Sequence, residues 1–483
     1  MGAMPLVVGV DSSTQSTKVE ARDVESGDVV ASGVGRHPPT SPPVSEQHPD
    51  AWWTALVDAM GQLGRVRDEV VAMSVAGQQH GLVVLDESGA VLRPAKLWND
   101  TTSAPHAAAL VDRLGTAAWA KATGSVPVAS FTITKLAWLA EHEPEVLARV
   151  ARVMLPHDWL TYRLTGAHVT DRGDASGTGW FDPTAGEYRP ELIAAAVGDA
   201  AGWLDRLPRV LGPWEVAGTI TAASAAELGL PEGVVVGPGT GDNMGAALGL
   251  GLAAGDVALS LGTSGTVFAV SDTGTADERG YVAGFASAQG NFLPLICTLN
   301  ATKVTDTVAA WLGTDPPWLA ELALAAAEQP GSPMLVPYFD GERTPNLPDA
   351  TGSLHGLTTS VTREQLALAA HDGVLGGLLG GLDAFHEVGG RTGGRTFLVG
   401  GGARSRAYRQ RAADLLAAPV VVPFTDETVA AGAAVQAGVV AGVGSYDELV
   451  GRWRLGAGQT IEPAHDATAV REAYRVRAGR ATS

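Results

Sequence analysis

The chain has 483 residues, with 52 acidic and 33 basic side chains, a formal net charge of −19, 45% hydrophobic and 18% charged residues. This is a globular composition, long enough for about two to four domains. The acidic surplus argues against nucleic acid or an anionic membrane as partner, yet it permits a nucleotide held by backbone N–H groups and accompanied by Mg2+.

Taken in chain order, residues 6–10 read as a buried strand, 11–17 as a polar turn and 18–21 as the returning strand. The opening MGAMPLVVGV has neither a cationic leader nor a myristoylation pattern, and Met1–Ala3 reads as a cloning remnant. A further strand is expected near 28–31, then a proline-rich stretch (Pro38 to Pro43). A helix starts at Pro49-Asp50, with Trp53, Leu56, Val57 and Met60 on one face. Residues 70–75 read as a buried strand emptying into 76–81. A hairpin through 86–89 and a mainly helical stretch over 104–165 follow.

Residues 234–236 end in the loop 237–245 and a small-residue helix. From Asp256 the opening pattern recurs, as strand 257–261, polar turn 262–265 and strand 266–270. The repeat predicts two related domains, 1–250 and 251–483. Farther on, a capping box over 362–365 precedes a helix over 371–385, where Gly373, Gly377 and Gly381 invite close approach of another element. Its apolar run, 374–382, is far short of the ~20 residues of a membrane span. Strand 396–399 then breaks into 400–405. The fold class expected is α/β with mixed sheets, two domains and a cleft between them. Cys297 is the single cysteine, so no intrachain disulfide is available, and a cytoplasmic protein is expected.

Three loops, 11–17, 262–265 and 400–405, share one construction: a buried strand followed by Gly, Ser and Thr. Each is an ordinary tight turn or a cradle of N–H groups for phosphate, and three in a chain without a Walker A sequence favour the cradle. Asp242, after the loop 237–241, is either a helix cap or a base for phosphoryl transfer. Asp11 is an Asx-turn acid or a holder of Mg2+ through water. Gln78, Gln79 and His80 leave a buried strand, where polar side chains can enter a cleft. Trp98 offers an apolar wall. Zinc-ligand spacing and a serine nucleophile elbow are both absent. Residues 249–254 fit a loose GxGxxA, but inside a helix, the wrong context for a dinucleotide site.

Several segments together resemble the FGGY family of carbohydrate kinases: SEQHPDAWW (45–53), AGQQHG (76–81), LWND (97–100), DASGTGWFD (174–182), GDN (241–243), LSLGTSG (259–265), PYFDGERTP (337–345) and GGGARS (400–405). They stand in family order over nearly the whole chain. The resemblance implies two actin-like, ribonuclease-H-type domains with ATP between them. It places the catalytic base at Asp242 and a second important acid at Asp11, the two acids expected to hold Mg2+. Sugar contacts fall on Gln79, His80 and Asn243, with Trp98 and Asp100. ATP contacts fall on Ser13, Thr14, Gln15, Ser16, Gly262, Thr263, Gly401 and Gly402, with Arg406 near the adenosine.

The implied activity is ATP-dependent phosphorylation of D-xylulose to D-xylulose 5-phosphate in D-xylose catabolism, by a homodimer that meets neither nucleic acid nor membrane. Two positions depart from the familiar pattern: Gln79 stands where Met is usual, and Thr101-Thr102 follow LWND where Arg is common. The stretch 300–306 also lacks the small residues usual near adenine. Another ketose or a polyol therefore stays open as substrate. A rival of another class is an actin-like nucleotide-binding protein without sugar kinase activity.

Overall fold

The first five strands' worth of apolar sequence folds around one central strand. β1 (Leu6–Ser12) is fully buried and pairs antiparallel with β2 (Ser16–Asp23), which pairs in turn with β3 (Val29–Arg36). α1 (Pro49–Gln62) opens with a proline behind His48 and lays Trp52, Trp53, Leu56 and Met60 into the core of this sheet. β4 (Val70–Gly77) then runs parallel to β1 on its other side. β5 (Gly218–Thr219), β6 (Val235–Val236) and β7 (Thr240–Gly241) complete seven strands in the order β5-β6-β4-β1-β2-β3, with β7 also on β4. These coordinates are a computed structural model that describes residues 5–327 and 331–479; Met1–Ala3 lies outside them.

After α2 (Asp242–Gly249) the plan repeats. β8 (Val257–Leu261) pairs antiparallel with β9 (Gly265–Ala269), and β10 (Ala283–Ala286) and β11 (Phe292–Thr298) extend that edge. α3 (Arg363–Glu387), β12 (Thr396–Val399), β13 (Val420–Pro423), α4 (Thr428–Val440) and β14 (Gly458–Ile461) follow. The second sheet has the order β10-β11-β9-β8-β12-β13-β14, with β12 parallel to β8. Each sheet therefore has a central strand flanked by an antiparallel hairpin partner and a parallel strand, the mixed α/β architecture expected. The polar turns of the sequence lie at the ends of β1, β8 and β12.

Several boundaries differ from the pattern reading. β1 runs on to Ser12 and β2 begins at Ser16, so the first turn is only 13–15, four residues shorter than the polar run suggests. The stretch 104–165 is broken by the strand Arg152–Met154, paired with Val83–Leu85, and three residues are too few for periodicity to register. α3 has 25 residues and starts directly at its Thr362–Gln365 capping box, not at His371. Gly373 and Gly381 do take close neighbours, the carbonyl of Leu335 and the side chain of Ile296. The third tight position is Gly376 against Tyr474, since Gly377 has ordinary room. No helix among the described residues is long and apolar enough to cross a membrane.

Two helices join the halves by packing on each other's sheets. Met244, Ala247 and Leu248 of α2 share a core with Ala258, Phe268 and Phe397 of the second sheet. Ala434, Val435 and Ala437 of α4 pack with Val7 and Ala72 of the first. They cross backbone to backbone: a Cβ on Gly432 would lie 1.9 Å from the Gly245 carbonyl oxygen, and one on Gly249 1.9 Å from that of Thr428. α2 starts at Asp242, so this crossing also fixes the acid at the mouth of the cleft.

Candidate active site

β4 ends at Gly77, and Gln78, Gln79 and His80 leave it as buried polar residues. His80 holds φ at +65°, a conformation kept in place by its surroundings. Its ring stacks on Phe131 at 5.3 Å and leans on Phe285 at 5.4 Å. Gly177 leaves the space for it, since a Cβ there would sit 2.0 Å from the ring. Burial, then the positive charges of Lys135 and Arg343, hold His80 well below its ordinary 6.5. The ring is therefore neutral at pH 7, with one donor and one acceptor nitrogen. His80 Nδ1 and Gln79 Nε2 have no hydrogen-bond partner among the described residues. Buried polar atoms left open in this way are suited to a polar ligand.

Asn243 ties this group to the acid, its Nδ2 donating to Gln79 Oε1 at 2.8 Å and to Asp242 Oδ1 at 2.9 Å. Asp242 is the first residue of α2, and the capping position belongs to Gly241. Of its two sequence readings, the cap therefore falls away. One oxygen is fixed by Asn243, whose backbone N–H also donates to it at 2.8 Å. The side chain keeps a small opening to the cleft, but the surrounding protein desolvates it. Burial, then the charge of Asp11, push Asp242 up to about 7. Burial likewise raises Asp11 to about 6, against the Ser13 hydroxyl, which donates to it, and the charge of Lys18. A base titrating near neutrality is well matched to proton transfer at physiological pH. Two desolvated carboxylates, the charge of Asp11 raising Asp242, also supply oxygen donors of the kind a hard divalent cation takes.

Three spaces adjoin one another along the cleft through shared lining residues. Gln79, His80, Trp98, Asp242 and Asn243 line a cavity of about 310 Å3, closed from the second half by Gly262, Ser264 and Gly265. A space of about 380 Å3 runs from Ser13, Asp242 and Asn243 to Gly401. The largest, about 650 Å3, is lined by Gly262, Thr263, Gly401, Gly402 and Arg406, with Thr302, Thr305 and Asp306 on one wall. That wall is polar where small residues were the expected pattern. Asp242 belongs to the first two spaces and Gly401 to the last two. The arrangement places a small cavity with a few polar groups, an acid, glycine turns and a larger compartment next to one another.

Other expected residues sit elsewhere. Trp98 is 40% exposed at the cavity rim, its Nε1 donating to Thr14 Oγ1 at 2.8 Å. Thr14, Gln15 and Ser16 line none of the three spaces. Gln15 is exposed and its carbonyl accepts from His37, while Ser16 pairs with Arg36. Arg406 lies along the largest space but reaches out to Glu321 at 2.9 Å. Asp100 is fully buried and outside the small cavity. It accepts from the N–H groups of Ser45 at 2.9 Å and Thr102 at 3.0 Å and from Lys96 Nζ at 3.3 Å. Its place braces the loop that carries Trp98 and contacts no ligand space. Asp100→Asn is expected to cost about 2 kcal/mol, because Lys96 and two N–H donors lose their anionic partner. Denaturant unfolding with an unchanged midpoint would contradict this bracing role.

Pattern reading missed Ser130, Phe131, Phe285 and Arg343, all on the walls of the small cavity. Phe131 and Phe285 belong to no motif. The 129–131 turn is pinned by buried Lys135, whose Nζ donates to the carbonyls of Ala129 at 3.1 Å and Phe131 at 3.3 Å. Burial brings that amine down to about 7. Arg343 was visible within PYFDGERTP, but with no role attached.

The family models described as the FGGY family of carbohydrate kinases match here, the N-terminal domain over residues 6–249 and the C-terminal domain over residues 257–441. The chain is 50% identical over 463 residues to the xylulose kinase of Streptomyces coelicolor, spanning 95% of this chain and 92% of that relative. The crystal structure of xylulose kinase from Bifidobacterium adolescentis superposes with a TM-score of 0.86 at 42% identity, covering 99% of this chain and all (100%) of that one. Gluconate kinase from Lactobacillus acidophilus superposes with a TM-score of 0.90 at 22% identity, covering 99% of each chain. At that identity the likeness speaks for the fold alone.

Proposed function

The chain belongs to the FGGY family of carbohydrate kinases, and from that premise we propose that it transfers the γ-phosphoryl group of ATP to the C5 hydroxyl of D-xylulose. It is a sugar kinase, a phosphotransferase with an alcohol as acceptor, and its product is D-xylulose 5-phosphate. One observation carries the mechanism: Asp242 is shared by the small cavity of Gln79, His80 and Asn243 and by the space leading to the glycine turns.

Asp242 takes the C5 hydroxyl proton as that oxygen attacks phosphorus. Asn243 occupies one carboxylate oxygen and leaves the other for the hydroxyl. Gln79 and His80, on the wall of the small cavity, bond sugar oxygens. Backbone N–H groups and hydroxyls at Ser13, Gly262, Thr263, Gly401 and Gly402 hold phosphate oxygens, which demands no surface cations and agrees with the net charge of −19. Asp11 and Asp242 are the acids that would hold Mg2+, which neutralises phosphate charge when bound. In this reading, residues 1–250 carry the sugar contacts and the first phosphate turn, and residues 251–483 the nucleotide compartment. Closing the halves on each other keeps out water, the competing acceptor.

A non-kinase actin-like protein has no use for a cavity lined by Gln79, His80 and Asn243 beside a raised carboxylate. Among sugars, the fold does not decide, since gluconate kinase shares it, whereas the identity with xylulose kinases extends over the whole chain. D-xylulose is expected to exceed D-ribulose, L-ribulose and glycerol in kcat/KM by at least about tenfold. A higher value for any of those three would overturn the choice of sugar.

A further inference from the structure

The loop 337–345 is built to present one side chain. Glu342 is buried and accepts from Leu299 N at 2.6 Å, from Asn300 Nδ2 at 3.1 Å and from the N–H of Arg343 at 2.7 Å. Asn300 Nδ2 also donates to the Gly341 carbonyl at 2.7 Å. Glu342 and Leu347 exchange both backbone hydrogen bonds at 2.8 Å, closing a tight hairpin. Gly341 sits at φ +77°, where a Cβ would meet the Pro348 carbonyl oxygen at 2.3 Å. A base so thoroughly pinned has little freedom, so Arg343 leaves it in a defined direction.

That direction is across the cleft. Arg343 Nη2 stands 3.5 Å from Ser130 Oγ, which belongs to the first half. Of the residues lining the cavity with Gln79, His80, Asp242 and Asn243, it is the sole lysine or arginine. It forms no salt bridge among the described residues, although 33 basic side chains serve 52 acidic ones and most clefts would offer it a partner. Its Nη2 meets Ser130 and its charge acts on the His80 ring, while among the described residues no ion pair joins it to Asp242. A guanidinium kept from carboxylates and turned into a cavity for an uncharged sugar needs oxygen acceptors there. Its planar fork suits a carbonyl with a neighbouring hydroxyl.

We propose that Arg343 is a sugar-binding residue supplied by the second half, donating to the ketose oxygens at the carbonyl end, remote from the hydroxyl that Asp242 deprotonates. This rests on the sugar kinase reading above. Bound sugar then touches Gln79 and His80 from one half and Arg343 from the other, and so favours the closed cleft. A ligand shifts a conformational equilibrium only through contacts that differ between the states, and this contact spans the two bodies that move.

The test is steady-state kinetics of Arg343→Met and Arg343→Lys with D-xylulose and ATP, alongside thermal melts. Arg343→Met is expected to raise the KM for D-xylulose about tenfold or more, the range for a lost charge-assisted hydrogen bond, with the KM for ATP within about twofold. Arg343→Lys is expected to recover part of the sugar KM, since charge remains and the fork is lost. A sugar KM within about twofold of the parent for Arg343→Met would overturn the assignment. So would a fall in kcat at unchanged sugar KM, which would place the guanidinium on the phosphoryl group, or an equal rise in both KM values with a lower melting temperature. A parent protein without turnover on D-xylulose would instead overturn the proposed function.

Discussion

Asp242→Asn is expected to lower kcat on D-xylulose about a thousandfold, the scale of losing a general base, while sugar affinity changes by a few-fold at most. The amide keeps the shape and the hydrogen bond to Asn243 but accepts no proton. In the parent, burial and the charge of Asp11 push Asp242 up to about 7, and burial raises Asp11 to about 6. The base form is lost as pH falls, so kcat/KM is expected to decline below about pH 7 and to flatten above it. Stability moves the other way. The folded value of Asp242 lies above the unfolded one, so the folded protein binds this proton more tightly. Stability is therefore lost as pH rises from about 4 through 7. Asp242→Asn removes that cost, and at pH 8 it is expected to melt higher than the parent. A variant with near-parental turnover, or one that melts lower at pH 8, would contradict the assignment of this acid.

The second large effect falls on the helix crossing. By propensity alone, Gly432→Ala inside α4 would stabilise the chain by about 1 kcal/mol. Here the new methyl would meet the Gly245 carbonyl oxygen at 1.9 Å, and the obstacle is backbone that no rotamer change can move aside. Separating α2 from α4 also opens the two cores each helix serves, so the net expectation is a loss of roughly 3 kcal/mol. α2 begins at Asp242, so residual folded enzyme is expected to turn over more slowly as well. Unchanged or raised stability in urea unfolding would mean the helices are not packed this closely.

The glycine turns were legible in the sequence because their signals are local. A buried strand followed by Gly, Ser and Thr marks a turn with exposed N–H groups, and 262–265 and 400–405 lie where that reading places them. Asp242 was visible as an acid closing a glycine-rich loop, although its capping alternative ended only when Gly241 took that position. The sugar side depends on contacts between distant segments. His80 meets Phe131 and Phe285, and Arg343 takes its direction from Asn300 and Leu299, pairings no short motif encodes. Asp100 illustrates the converse. Its motif is local and strong, yet what it accepts are the N–H groups of Ser45 and Thr102, so this acid braces the wall and leaves the cavity to others. The sequence marked α2 as a helix of small residues, but the partner they admit, α4, lies nearly two hundred residues away, beyond the reach of local pattern.

If a proton leaves a sugar hydroxyl for Asp242 while ATP sits in the neighbouring compartment, ADP release at saturating ATP is expected to depend on D-xylulose in the parent and nearly to vanish in Asp242→Asn. Release indifferent to the sugar, or undiminished in that variant, would contradict that proton transfer.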